Sequence, residues 1–294
     1  MLNRLLNLSL ASALCLSACG QAPQEAPLSS SWKVEPLSSS PTRELTTLQS
    51  NTFAGLALDN LQAVFKDENL APAGTEDGLT LYESNLFVAA VAPMRGSINI
   101  RSKQGLVDVA QDGIVNRDSM RAESLELVEA LGMSRDQIGT VTQKELMSAS
   151  KHDDGTVEHE VMAHITFIER AIGQVLVTDS RMVIIHDRQG NFNRAVGWWP
   201  EVDRGLSQLT PRHTTETLSQ TLTGDLRFQQ ERLRGTDGLI APSTIVQRYV
   251  LVPTETPEGK VSLKLQLEYI ITPDEESSED QEPSFKPLQL RIDA

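Results

Sequence analysis

The sequence predicts an α+β fold in which helices pack on antiparallel β-meanders, and three observations predict it. Between 120 and 131, Ala122, Leu125, Val128 and Leu131 recur at helical spacing, with Gly132 placed to end the run. Further on the period falls to two: Val261, Leu263, Leu265, Leu267, Tyr269 and Ile271 share one parity, while Ser262, Lys264, Gln266 and Glu268 take the other. A helix followed by strands then occurs twice, from 118 and again from 215, which points to a structural repeat without sequence identity.

The first element is an address. Met1-Leu2-Asn3-Arg4 is weakly basic, Leu5 to Leu16 is apolar, and small residues precede Cys19, the pattern of a secretory signal. The apolar run is too short to span a bilayer, which takes about 20 residues. Leu16-Ser17-Ala18-Cys19 has the form of a lipobox and resembles the signal of the bacterial lipoprotein family. That resemblance implies a signal peptide over 1–18, a diacylglyceryl group on the Cys19 thiol and a third acyl chain on its freed amine. Burial is worth roughly 0.8 kcal/mol per CH₂, so three chains make a durable anchor. Gly20 stands where an aspartate favours inner-membrane retention in enterobacterial-type lipoproteins, so an outer-membrane, periplasm-facing location is expected. Cys15 would leave with the signal. The mature chain would then hold no disulfide, no cysteine metal site and no cysteine nucleophile.

Residues 19–45 are rich in Ser, Pro, Ala and Gln and read as a flexible tether, from which Trp32 is expected to pack on the domain or the membrane edge. Over 46–117 a helix is expected from about Leu45 to Phe65. Pro and Gly around Pro72 to Gly78 should then interrupt regular structure, and paired strands follow within Leu79 to Arg101, with Met94-Arg95-Gly96-Ser97 at a turn. Over 118–203 a helix capped by Asp118 or Ser119 precedes a meander through Ile165, Val175, Met182 to His186 and Arg194 to Trp199, with turns at Gly173 and at Asp187 to Gly190. Over 204–294 a helix from Thr215 to Leu233 precedes strands at Thr244 to Val252, Val261 to Ile271 and Leu288 to Ile292. The acidic stretch 274–282 reads as a solvated loop, since a Ca²⁺ loop needs a tight glycine turn that it lacks.

Bulk composition narrows the partners. A formal charge of −14, from 40 acidic and 26 basic residues, argues against nucleic acid, whose phosphates would repel the chain. Anionic membrane surfaces would repel it too, so any membrane residence must come from the lipid on Cys19.

Catalytic signatures are weak. His159-Glu160-Val161-Met162-Ala163-His164 places its histidines five apart, whereas a helical zinc peptidase motif needs them four apart on one face. The flanking residues favour a strand, which sends the two rings to opposite faces. No nucleophile elbow and no phosphate-cradling glycine loop occurs. The expectation is no catalytic residues, no metal and no cofactor.

Arg170, Gly173, Val177, Ser180, Asp187, Gly190 and Trp198, within 118–200, resemble the PepSY and the thermolysin and fungalysin propeptide modules. The resemblance implies a cystatin-like helix against a curved antiparallel sheet, with two such modules if the repeat holds, and binding in trans. No peptidase domain follows, so inhibition in cis is not implied. Trp198 and Trp199 are the candidate ligand-binding residues, and packing in the core and edge of the meander is the competing reading.

The expected function is a non-enzymatic, lipid-anchored envelope protein that binds a protein or peptide through its sheet. Two alternatives stand beside it. One is a periplasmic carrier of lipid or another small hydrophobe in a half-barrel cavity, the other an envelope hydrolase.

Overall fold

The computed structural model describes residues 32–35, 37, 56–76, 78–106, 116–152, 154–203, 207, 211–232, 243–256, 261–273 and 288–293. The lipobox, with Cys15 and Cys19, and the acidic stretch 274–282 lie outside them. In chain order the elements are β1 (Trp32–Val34), α1 (Leu58–Phe65), β2 (Ala71–Glu76), β3 (Leu79–Glu83), β4 (Phe87–Ala92), β5 (Ser97–Ser102), α2 (Arg117–Ala130), β6 (Ile138–Lys151), β7 (Val157–Ile172), β8 (Val175–Asp187), β9 (Phe192–Trp198), α3 (Thr215–Arg232), β10 (Ser243–Glu255), β11 (Val261–Pro273) and β12 (Leu288–Asp293).

All twelve strands join one sheet. One half runs β2-β3-β4-β5-β9-β8-β7-β6 and is antiparallel throughout. The other half is β12-β11-β10, with β1 parallel to β10. Strand β8 belongs to both: Arg181 to His186 pair with β9, whereas Leu176 and Val177 pair in parallel with Val250 and Leu251 of β10. Between these stretches Asp179 takes φ 62°, a local break where the strand changes partners.

This architecture corrects the expected α+β fold of helices packed on antiparallel meanders, and with it the two cystatin- or PepSY-like modules. A single mixed sheet dominates, and the described helices have only 8, 14 and 18 residues. The physical reason is pairing across the expected boundaries: β5 pairs with β9 through five residue pairs, and β8 reaches β10. Register between strands so distant in the chain leaves no local periodicity. Within the antiparallel half, α1 precedes the quartet β2–β5 and α2 precedes β6–β9. The last strands of the two quartets, β5 and β9, pair antiparallel and join them into one sheet.

Alternation sets the layers. Ala89, Val91, Ile98, Ile100, Ile168, Met182, Ile184 and Ala195 point to one face of the antiparallel half and form a core with Leu61 of α1 and Val128 of α2. A second and a third apolar cluster lie on the Val261, Leu263, Leu265, Leu267, Tyr269, Ile271 face of β11, as its parity predicts, under Leu218, Leu222 and Leu226 of α3. Tyr269 also donates its hydroxyl to Asp225 of α3 at 3.0 Å. The opposite face of β11 is polar, and there the buried Glu268 carboxylate accepts from Arg248, Arg291 and Gln289.

Several local expectations hold and others shift. Trp32 does pack on the domain, beside Leu222, Leu226 and Tyr269, but it does so as part of a strand. The described part of the first helix ends at Phe65, where Lys66 turns left-handed at φ 51°. Pro72 to Glu76 is not an interruption but the bulged edge strand β2, all of it exposed, a place where proline costs no ladder bond. The N-cap of α2 is Asn116, whose side chain accepts from the Asp118 and Ser119 amides, in place of the expected Asp118 or Ser119. The turn before β5 needs glycine: Gly96 sits at φ 60°, and a Cβ there would lie 2.1 Å from the Trp199 carbonyl.

Candidate functional site

The histidines of the His159 to His164 stretch lie on β7, a strand, as their flanks predict. His159 is exposed, whereas His164 faces the core opposite His186 of β8. Burial lowers the pKa of both His164 and His186, and the His186 Nδ1 has no hydrogen-bond partner among the described residues. Glu145 Oε1 stands 3.9 Å from His164 Nδ1 but is already bound to Arg117. Among the described residues no three histidine, cysteine or carboxylate side chains converge as a metal site.

The tryptophan pair is split between two cores. Trp199 is fully buried in the first, with the Arg170 guanidinium 5.4 Å from its ring. Trp198 points the other way and packs on the second cluster. The Trp199 ring is closed off from solvent, whereas Trp198 is half-buried. Arg170 is itself buried, bonded to Gln137 Oε1 at 2.9 Å and the Pro200 carbonyl at 2.7 Å, and burial lowers its pKa to about 9. It fastens β7 to the chain beyond β9 and does not line the depressions of the open face.

The face that remains available is the other side of the antiparallel half, which α1 and α2 leave uncovered. Its residues are the alternates of the core set, so the same periodicity that buries Ile98, Ile100 and Ala195 turns Asn99, Arg101 and Arg194 outward. Cross-strand register assembles them into rows. One row runs Glu83, Val88, Arg101, Arg194, Ile185, Ile165, Lys144 across seven strands. The next runs Leu81, Ala90, Asn99, Val196, Val183, Phe167, Thr142. The middle of the face is therefore apolar, crossed by arginines at the β5–β9 seam.

Two depressions flank that seam and share Arg101 and Arg194. One, of about 410 Å³, is lined also by Val88, Ala90, Asn99, Ser102 and Lys103. The other, of about 250 Å³, is lined by Leu106, Leu146, Ala163, Ile165 and Ile185 among others. Val88, Leu106 and Leu146 are 39%, 40% and 47% exposed, an unusual grouping of open aliphatic side chains on one surface. Charges around them are mostly positive. Lys103 is held by Glu83 at 2.6 Å, Lys144 lies 5.8 Å from the Phe167 ring, and Arg194 donates to Asn99 Oδ1 at 3.1 Å.

Sequence reasoning missed this surface. Alternation in Ser97-Ile98-Asn99-Ile100-Arg101 and Asn193-Arg194-Ala195-Val196 signals that the arginines face outward. What it does not signal is that residues 93 apart in the chain stand opposite one another.

No family model matches the chain, and no curated protein matches it. Among solved structures it is similar to an uncharacterised protein of Eubacterium rectale, at 10% identity over 83% of this chain and 81% of that one, with a TM-score of 0.41. So distant a likeness carries no argument about either fold or function.

Proposed function

We propose that the chain is a non-enzymatic, lipid-anchored protein of the bacterial cell envelope that binds a protein or peptide on the open face of its antiparallel half-sheet. The observation that carries the binding reading is the uncovered apolar surface of that face, around Val88, Leu146, Ile165 and Ile185, set with cations in a chain of net charge −14. Apolar groups left open beside polar ones are the usual composition of an interaction surface. The anchor reading is supported by the lipobox ending at Cys19. No described helix is long and apolar enough to cross a membrane.

Trp32 limits how far the domain could stand from such an anchor. Residues 20–31, twelve in all, separate Cys19 from the first residue of β1. Fully extended at about 3.3–3.6 Å per residue, the thirteen steps from Cys19 to Trp32 reach about 47 Å at most.

The test places a photo-crosslinking residue in the full chain at Val88, at Leu146 and, as a control, at the exposed Glu126 of α2, on the covered side of the sheet. A discrete crosslinked protein in intact cells is expected from Val88 and Leu146 and not from Glu126. Silence at both open-face sites across growth conditions would overturn the binding reading. In parallel, Cys19→Ser should move the protein from the membrane to the soluble fraction. A Cys19→Ser variant that stayed with the membrane would defeat the anchor reading.

A further inference from the structure

We propose that Arg101 and Arg194 form a carboxylate clamp for an extended acidic peptide, whose apolar neighbours fill the depressions on either side. The proposal rests on the binding reading above and names the chemistry of the partner.

The two arginines are direct cross-strand partners on β5 and β9. Like charges placed opposite one another destabilise a sheet. Neither guanidinium forms an ion pair among the described residues. Among the described residues Arg194 donates only to the neutral Asn99 amide. Lys103, on the same rim, is the one cation of the first depression that is matched, by Glu83. The strands beneath are anchored in the core through Ile98, Ile100 and Ala195, which are at most 1% exposed. Two positive charges, unmatched among the described residues, thus stand opposite one another on adjacent strands of the face. A carboxylate between them would relieve the repulsion and gain charge-assisted, fork-like hydrogen bonds.

The surroundings select a peptide over a lipid or a small ligand. The depression on the Leu146 side measures about 250 Å³ and suits one or two side chains; the one on the Val88 side, at about 410 Å³, is within the roughly 300–1,000 Å³ of small-molecule pockets, and it is the pair, meeting at Arg101 and Arg194, that suits an extended segment lying across both. In an extended peptide, side chains two positions apart share a face about 7 Å apart. A segment with Asp or Glu two residues from Leu, Ile or Val therefore sets its carboxylate on the arginines and its aliphatic group beside Leu146, Ile165 and Ile185. Charge complementarity also favours it: an acidic segment meets Arg101, Lys103 and Arg194, which line one depression of a chain of net charge −14.

The test uses the purified full chain and a fluorescein-labelled peptide pool centred on Leu-Xaa-Glu-Xaa-Leu, with a matched pool carrying Gln for Glu. Binding is expected for the Glu pool, weakened about tenfold or more by the Gln exchange or by Arg101→Gln, since hydrogen bonds to charged groups are worth roughly 1.5–3 kcal/mol. It should also weaken with added salt. Arg101→Gln should leave the melting temperature unchanged or raise it, because it removes a like-charge pair; a clear loss of stability would assign the arginine a structural role instead. Equal binding of both pools, or binding of anionic phospholipid vesicles that competes with the Glu pool, would overturn the clamp. If the Gln pool binds as well while Val88 and Leu146 still crosslink, the clamp fails and the binding reading stands. If the crosslinks fail too, both fall.

Discussion

Glycine shows at the residue scale how closely the strands are packed. Gly197 of β9 points at the core, and a Cβ there would lie 2.3 Å from Met182 Sδ and 2.5 Å from the Arg181 carbonyl. Gly197→Ala must push back a neighbouring strand, and overpacking of that kind costs typically about 1–3 kcal/mol. Gly224, exposed in the middle of α3, has nothing within 4 Å of the same position. Gly224→Ala should instead stabilise by about 0.8–1.0 kcal/mol, the helix-propensity difference. Urea midpoints at unchanged slope would check both, and a neutral Gly197→Ala would mean that the β8–β9 packing is looser than described. Met182 and Gly197 are read from the chain as merely apolar and small. That they are complementary depends on the pairing Met182 with Gly197, which no local pattern records.

Elements differ in how much of themselves they disclose. Strand β11 was legible because burial on one face and solvent on the other impose strict alternation over its length, and α3 was legible within one residue of its end. Strands β2 and β6 were not: both are edge strands, and β6 is exposed along Lys144 to Lys151, so nothing forced its residues to alternate. The same logic hid the candidate site, which is built from the solvent-facing alternates of legible strands.

A pH dependence also belongs to the element scale, where α2 covers His164 and His186. Burial lowers both pKa values, against the upward pull of Glu145 on His164, Glu123 on His186 and Asp187 on both; Arg117 pushes His164 further down. Below the unfolded value of about 6.5 the unfolded chain then binds protons that the folded one refuses, so stability falls as pH drops through that point. Glu268 acts in a separate window. Burial alone would raise its pKa, but the hydrogen bonds from Arg291, Gln289 and Arg248 outweigh it and hold the value low, so its contribution fades only below about pH 4.3. Urea unfolding between pH 8 and 5 should show the histidine step, and His164→Leu with His186→Leu should flatten it. An unchanged pH profile in the double variant would assign the acid sensitivity elsewhere.

For the whole molecule the question is whether two half-sheets joined by so little backbone behave as one body. The β8–β10 junction pairs only Leu176 with Val250 and Val177 with Leu251, whereas β10 and β11 pair over thirteen positions. Hydrogen bonding across the junction would not hold the halves together on its own. Side chains make the difference: Ile172, Val175, Val177 and Trp198 of the antiparallel half enter the same cluster as Tyr249, Leu251, Leu263 and Leu265 of the other. At roughly 1.5–3 kcal/mol for each buried side chain, that shared core rivals the about 5–15 kcal/mol stability of an entire domain. The halves should therefore unfold together. The tryptophans report on them separately, since Trp32 sits only in the β10–β12 half and Trp199 only in the other. A variant keeping Trp32 alone and one keeping Trp199 alone, the rest replaced by Phe, should give fluorescence midpoints in urea that move together when Val177→Ala weakens the shared cluster. If Val177→Ala shifted only the Trp199 transition and left Trp32 in place, the molecule would be two cooperative units that share a sheet, and the open face would belong to the first of them alone.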